Sequence, residues 1–256
     1  MGVFVMAPVP RPQAGPVSRP RAGPVTAPLP VAEPLALTAE PVTGILLAGG
    51  RSRRMGRDKA WVDLAGRPLI RWSLDALRQA SDRQVIVARD EAAAERLRTL
   101  GVPVIVDALA ARGPLTGVHA GLRAATSDLS LVLACDMPLV RPELLRFLVA
   151  AIGAWDAAVP YAGDADPPAG LLAGATRARD AGLQPLLAAY RQSCLPALEK
   201  ILAGGPMPTM ALLSLVKARV IAPELWRQVD PDGRSFLNIN THQDLEAAAR
   251  LLAGMP

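Results

Sequence analysis

The sequence predicts a doubly wound α/β sandwich, a mostly parallel sheet held between two helical layers, and three observations carry that expectation. From Thr43 onward short apolar runs alternate with amphipathic stretches of ten to fifteen residues, the rhythm of strands joined by crossover helices. Most of the apolar runs lack the polar alternation of a strand with one wet face, so both of their faces should be covered. Several helical patterns open on proline, whose missing N–H is tolerated in the first turn.

Candidate strands lie at residues 43–48, 84–88, 102–106, 130–135, 157–160 and 219–222. Helical patterns occupy 68–79, 91–100, 114–124, 142–152, 184–202 and 243–252. Segment 163–182, rich in Ala, Gly and Asp with Pro167 beside Pro168, reads as a surface loop or an insertion beside the ligand edge of the sheet. No internal repeat is visible.

Ten of the 25 prolines fall in the first 41 positions, which prevents a persistent helix or central strand there. Residues 1–41 are therefore expected to be a disordered or polyproline-like tail, either a solvated extension or a Pro-rich partner ligand, and residues 42–256 a single domain. Two cysteines, Cys135 and Cys194, are too few for a disulfide scaffold or a Cys-rich zinc module. No apolar stretch approaches the ~18–20 residues of a spanning helix, and the opening Val-Phe-Val-Met-Ala lacks the basic start of a secretory signal, so a soluble cytoplasmic protein without membrane partners is expected. A net charge of +5 favours an anionic ligand. Trp61, Trp72, Trp155 and Trp226 are dispersed, without the basic and aromatic interleaving of a nucleic-acid surface, so no nucleic-acid partner is expected.

The chemistry concentrates directly after the first strand, in Leu47-Ala48-Gly49-Gly50-Arg51-Ser52-Arg53-Arg54-Met55-Gly56-Arg57-Asp58-Lys59. Gly49 and Gly50 let the chain turn sharply, and N–H groups in such a turn cradle phosphate oxygens. Five cations against one acid between Arg51 and Lys59 reinforce a polyanion ligand, the alternative being an exposed basic turn. The spacing fits neither the phosphate loop of nucleotide hydrolases nor the dinucleotide pattern of Gly-x-Gly-x-x-Gly. Asp136 follows the apolar run 130–135 and should project from the carboxyl edge of the sheet, where open α/β sheets bind ligands; a carboxylate there suits Mg²⁺, or alternatively caps the following helix.

Residues Leu47 to Lys59 match Leu-Ala-Gly-Gly-x-Ser-x-Arg-Met-Gly-x-Asp-Lys position for position, and this loop resembles that of the molybdenum cofactor guanylyltransferases. The likeness continues through Leu64-Ala65-Gly66-Arg67-Pro68-Leu69, Asp107 with Gly113-Pro114-Leu115, Cys135-Asp136-Met137-Pro138 and Asn238-Ile239-Asn240-Thr241. It implies a Rossmann-like nucleotidyltransferase fold, and an enzyme that joins GMP from GTP to the phosphate of molybdopterin with release of pyrophosphate. It implies Mg²⁺ as cofactor, GTP and molybdopterin as partners, and molybdoenzymes or other proteins of the cofactor's pathway as further ones.

On this resemblance Lys59 neutralises triphosphate oxygens and Asp136 holds metal and nucleotide; Arg54 and Arg51 either share the charge of the leaving pyrophosphate or are solvated loop residues. Leu47, Ala48, Gly49 and Gly50 line the nucleotide, and Asp107 contacts its base or ribose. A structural ion pair is the alternative for Lys59 and a turn role for Asp107. Asn238 and Asn240 alternate, so a strand-like segment would turn both amides to one side to support the second substrate or the metal, unless they only form a turn. A phosphate monoester, with a second pKa of about 6, is largely dianionic at neutral pH and needs no general base, which suits a chain with only His119 and His242.

Two departures stand out. Ala88-Arg89-Asp90 lies where some members place a nucleotide-contacting asparagine, and segment 163–182 exceeds the usual connection. Competing readings are a cytidylyltransferase using CTP, whose loop typically reads Leu-Ala-Ala-Gly, a sugar-1-phosphate nucleotidyltransferase, and an inactive nucleotide-binding module.

Overall fold

The computed structural model describes residues 40–48, 58–109, 113–163, 182–204 and 209–254. Residues 1–39 of the Pro-rich tail, the stretch from Gly49 to Arg57 and most of segment 163–182 lie outside the described residues.

In chain order the elements are β1 (Val42–Leu47), β2 (Asp63–Leu64), β3 (Arg67–Pro68), α1 (Leu69–Arg78), β4 (Arg83–Ala88), α2 (Glu91–Arg98), β5 (Val104–Val106), α3 (Pro114–Ala124), β6 (Leu129–Ala134) and α4 (Pro142–Ile152). They continue with β7 (Ala157–Pro160), β8 (Leu187–Arg191), α5 (Leu195–Ala203), β9 (Ala218–Ile221), α6 (Pro223–Trp226) and α7 (His242–Ala253). Among the described residues a seven-stranded sheet runs β5-β4-β1-β6-β8-β7-β9, parallel throughout except for β8, which is antiparallel to both neighbours. β2 and β3 form a separate hairpin.

Both faces of the sheet are covered, as the unbroken apolar runs require. Leu131 and Leu133 of β6 face a core built with Ile70 and Leu74 of α1, Leu97 of α2 and Leu148 of α4, while Val132 between them faces Val118 of α3 and Leu198 of α5. The expected three-layer sandwich is thus present, with α1, α2 and α4 on one face and α3 and α5 on the other. The chain steps outward from β1 through β4 to β5, then returns over the opposite face by α3 to β6 on the other side of β1. Between β1 and β6 the winding reverses, which opens a crevice at the carboxyl ends of the strands.

The main correction concerns residues 184–202. They do not form one helix: β8 occupies Leu187–Arg191, and α5 starts only at Leu195, with proline in its first turn. Leu187, Ala188, Ala189 and Tyr190 are all buried, so no polar alternation marked the strand, and two alanines favour a helix locally. Pairing with β6 and β7 overrides that preference. The β2–β3 hairpin was not expected either. It turns through Ala65 and Gly66, both at positive φ (54° and 81°), with Asp63 Oδ1 accepting from Gly66 N at 2.9 Å. Among the described residues no helix is long and apolar enough to cross a membrane.

Candidate active site

Hydrogen bonds beyond the strands tie the sheet's carboxyl edge together. Cys135 N donates to Leu47 O at 3.1 Å, Ala48 N to Val87 O at 2.9 Å, and Asp107 N to Ala88 O at 2.8 Å. Above this edge lies a cleft of about 340 Å³ whose lining includes Leu47, Lys59, Arg89, Asp107, Gly117 and Asp136. It sits where the winding reverses, so backbone topology alone brings residues from four distant segments to one place.

Lys59 opens a single helical turn, Lys59–Trp61, capped by Asp58, whose Oδ1 accepts from Ala60 N at 3.3 Å. The other oxygen of Asp58 lies 3.3 Å from Arg96 of α2, whose guanidinium is 5.0 Å from the centre of the Trp61 ring. The turn is thereby anchored on α2, and the Lys59 side chain is driven inward to 8% exposure. Its ammonium donates at 2.8 Å to Asp136 Oδ2 and at 2.8 Å to Asn240 Oδ1. An ammonium has three donors, so among the described residues one is left over for a ligand oxygen.

Asp136 follows β6 and does not cap the next helix, since α4 begins at Pro142 after Arg141. Its Oδ1 is buried and accepts no hydrogen bond from the described residues. A buried carboxylate oxygen without a partner among these residues calls for a further one. Among the described residues no three His, Cys, Asp or Glu side chains gather as a metal site. One available carboxylate oxygen is nonetheless the donor set expected for Mg²⁺, which takes one or two carboxylates and completes its shell with phosphates and water. The residues therefore fit that ion.

Asp107, 7% exposed, is held from both sides. Its Oδ1 accepts from Leu109 N at 2.9 Å, and its Oδ2 lies 2.5 Å from the Thr116 hydroxyl, which is also 2.7 Å from Gly113 O. The turn role and the cleft position therefore coexist. Gly117 of α3 lines the cleft, and a Cβ there would lie at ordinary contact distance, 3.4 Å from Leu47 Cδ2 and 3.9 Å from Asp107 Oδ2. Arg89 joins the lining with its Nε 2.7 Å from Asp90 Oδ2.

The two asparagines make different bonds. Asn240 reaches Lys59, whereas Asn238 Nδ2 donates to Phe236 O at 3.3 Å. Ile239 N between them donates to Asp136 O at 2.9 Å, and Asp244 Oδ2 accepts from Asn240 N and Thr241 N at 2.8 Å each, as part of a capping box on α7. These bonds hold the Asp244 carboxyl below the usual range, the Asn240 N–H first among them. His119 lies 3.8 Å from Glu199 between α3 and α5, and is not part of the cleft's lining. Both thiols are buried; burial, and secondarily Asp136, pushes that of Cys135 up. Gly49, Gly50, Arg51 and Arg54 lie outside the described residues.

The family model described as MobA-like NTP transferase domain matches residues 44–217, more than half of the chain. A relative named probable molybdenum cofactor guanylyltransferase, from Pelotomaculum thermopropionicum, is 34% identical over 211 residues, covering 82% of this chain and 93% of that protein. The chain belongs to the molybdenum cofactor guanylyltransferase family. A further member from Desulfosudis oleivorans is 35% identical over 218 residues, covering 83% of this chain and 97% of its own length. The crystal structure of molybdopterin-guanine dinucleotide biosynthesis protein A from Archaeoglobus fulgidus superposes with a TM-score of 0.69 at 31% identity, covering 83% of this chain and all of that one.

As a nucleotidyltransferase of this family, the chain carries Leu47 through Lys59, Asp107 and Asp136 inside the matched span, whereas Asn238 and Asn240 fall beyond its end. The sequence pattern pointed to Lys59, Asp107 and Asp136, and the fold gathers them. It did not single out Thr116 or the anchoring of Asp58 by Arg96. An acid directly before a helical turn is an N-cap signal that was available for Asp58. The Thr116 contact joins a loop to a helix and has no local signature.

Proposed function

We propose that this protein transfers GMP from GTP to the terminal phosphate of molybdopterin. An oxygen of the acceptor phosphate bonds to the α-phosphorus of GTP, the bond from that phosphorus to the α,β-bridging oxygen breaks, and its electron pair leaves with pyrophosphate. The observation that carries this reading is the buried Lys59 ammonium bridging Asp136 and Asn240 in a cleft at the point where the winding reverses. The names of the relatives support guanine as the base and the molybdenum cofactor as acceptor.

In this reading Lys59 directs its third N–H to a triphosphate oxygen, fixed beforehand by Asp136 and Asn240 so that little reorganisation remains when charge develops. Asp136 would hold Mg²⁺ through its unsatisfied Oδ1. When bound, that ion neutralises phosphate charge beside the reacting phosphorus. Asp107 keeps accepting capacity for base or ribose donors, because a carboxylate offers about four lone-pair sites and the protein engages two. Leu47, Ala48, Gly49, Gly50 and Arg51 would line the nucleotide, with Arg51 and Arg54 drawing off pyrophosphate charge and Asn238 lying near the acceptor side. The acceptor dianion attacks without a general base, which agrees with a cleft whose lining holds no histidine among the described residues. Action in the cytoplasm, and delivery of the product to molybdoenzymes, belong to the same reading.

The test is a nucleotide panel with Mg²⁺ and molybdopterin, following pyrophosphate release. GTP-selective turnover that chelation abolishes is the expected result. CTP-selective turnover would replace the reading by cytidylyl transfer, and binding without turnover would reduce the protein to a nucleotide-binding module.

A further inference from the structure

A second polar cluster lies outside the cleft, at the far end of the loop that carries Asp136. That loop runs to Arg141, the residue before α4, where no side chain caps the helix. Arg141 N donates instead to Ser235 Oγ at 2.9 Å, and Ser235 N donates to Asp230 Oδ2 at 3.1 Å. The circuit closes through charge: Arg141 Nε faces Asp230 Oδ1 at 2.9 Å without the alignment of a hydrogen bond, and Arg141 Nη2 donates to Asp232 Oδ1 at 3.1 Å. Asp230 and Ser235 are fully buried. Burial raises the Asp230 carboxyl above its ordinary value, the cost of keeping it there.

The placement of this cluster matters because the segment that begins at Asp230 ends at Asn240. Two loops, 136–141 and 230–240, run beside each other and are tied at both ends. At one end Ile239 N holds Asp136 O, and Lys59 joins Asp136 to Asn240. At the other end stands the Arg141, Ser235 and Asp230 circuit. A buried ion pair is weak evidence of stability, since well-packed apolar groups often replace one at no loss; its best-attested use is to fix register.

We propose that Arg141, Ser235 and Asp230 are positioning residues that set the register of the 230–240 segment against the Asp136 loop, and through it the two partners that fix the Lys59 ammonium. None of the three touches the cleft. The consequence for turnover rests on the function proposed above, but the physical claim about Lys59 does not.

The experiment uses the full-length protein, Ser235→Ala, and the double variant Arg141→Met with Asp230→Leu, each checked for a native thermal unfolding transition. Lysine acetylation is followed by mass spectrometry at Lys59, with exposed Lys200 and Lys217 as internal references. Loss of register should speed labelling of Lys59 by about fivefold or more relative to the references, because its protection depends on local closure. Guanylyl transfer should fall in kcat by at least about tenfold, with KM for GTP moving much less, the mark of a misplaced group rather than lost binding. A folded variant in which either Lys59 labelling or kcat stays at the wild-type value overturns the proposal. If the double variant does not fold, Ser235→Ala decides alone. If the wild-type protein shows no guanylyl transfer, the functional reading falls, and Lys59 labelling still decides whether the circuit holds the segment in register.

Discussion

The Lys59 ammonium lies 2.8 Å from the Asp136 carboxylate although the two residues are 77 positions apart. Lys59 is nearly closed off from solvent and Asp136 a quarter exposed, so the pair is only partly desolvated on its acid side. Each partner is costly without the other, and each has coordination left for a ligand. Such a pair is ready to receive a polyanion and a hard cation together, and it makes the two substitutions unequal.

Asp136→Asn keeps the shape but removes the charge. Turnover should fall by more than about tenfold, because the proposed reaction relies chiefly on charge stabilisation at the reacting phosphorus. Lys59→Met should lose turnover as well and should also destabilise the fold by about 1–3 kcal/mol, the penalty for leaving a buried acceptor unpaired. Urea denaturation beside steady-state kinetics checks both; near-normal rates for Asp136→Asn would remove it from the reaction.

Two glycines one turn apart on α3 should respond in opposite ways. A Cβ at Gly121 would sit 2.3 Å from Ile45 Cγ2, on a fully buried, β-branched strand residue that cannot step aside. Gly121→Ala should cost about 1–3 kcal/mol through overpacking. At Gly117 the same methyl meets only ordinary contacts, so Gly117→Ala should leave stability unchanged or raise it by up to about 1 kcal/mol from helix propensity, while filling the cleft and raising KM for GTP. Thermal unfolding and KM measured on both variants separate packing from binding.

The Asp244 cap links α7 to acid stability. Its folded carboxyl is held below the ordinary value by Asn240 N–H and then by Thr241, so its contribution is complete above about pH 4, the range of an unfolded carboxyl, and is lost as pH falls through the depressed value. Asp244→Asn should therefore flatten the acid limb of the stability curve and leave its slope near neutrality unchanged. Thermal melts between acid and neutral pH would show an unaltered acid limb if the cap contributes nothing.

Neither thiol should act as a nucleophile. Burial pushes Cys194 up to about 12, and burial followed by Asp136 pushes Cys135 higher still. Thiolate is the reactive form, so native protein at mildly alkaline pH should resist iodoacetamide while denatured protein takes up two equivalents. Rapid native labelling at Cys135 would show that the cleft opens more than its burial indicates.

Much of this molecule is legible locally. Apolar runs bounded by turn residues located six of the seven strands of the main sheet, and prolines in first turns marked α3 and α4. The position of Asp136 after an apolar run is itself enough to put it at the ligand edge of the sheet. These signals survive in one dimension because hydrophobic periodicity, capping and turn chemistry are set by near neighbours in the chain.

The rest was decided by the fold. Residues Leu187 to Tyr190 became a strand because two waiting strands offered hydrogen bonds that outweigh the helix preference of alanine. Asn240 met Lys59 across 181 positions, and Asp230 met Arg141 through a segment with no pattern of its own. Periodicity and residue type are enough to specify the layered α/β class and the sheet edge that carries the cleft. Which carboxylate holds which cation follows from folding alone, because the strength of a charge pair depends on distance and burial, and neither exists until the sheet has closed.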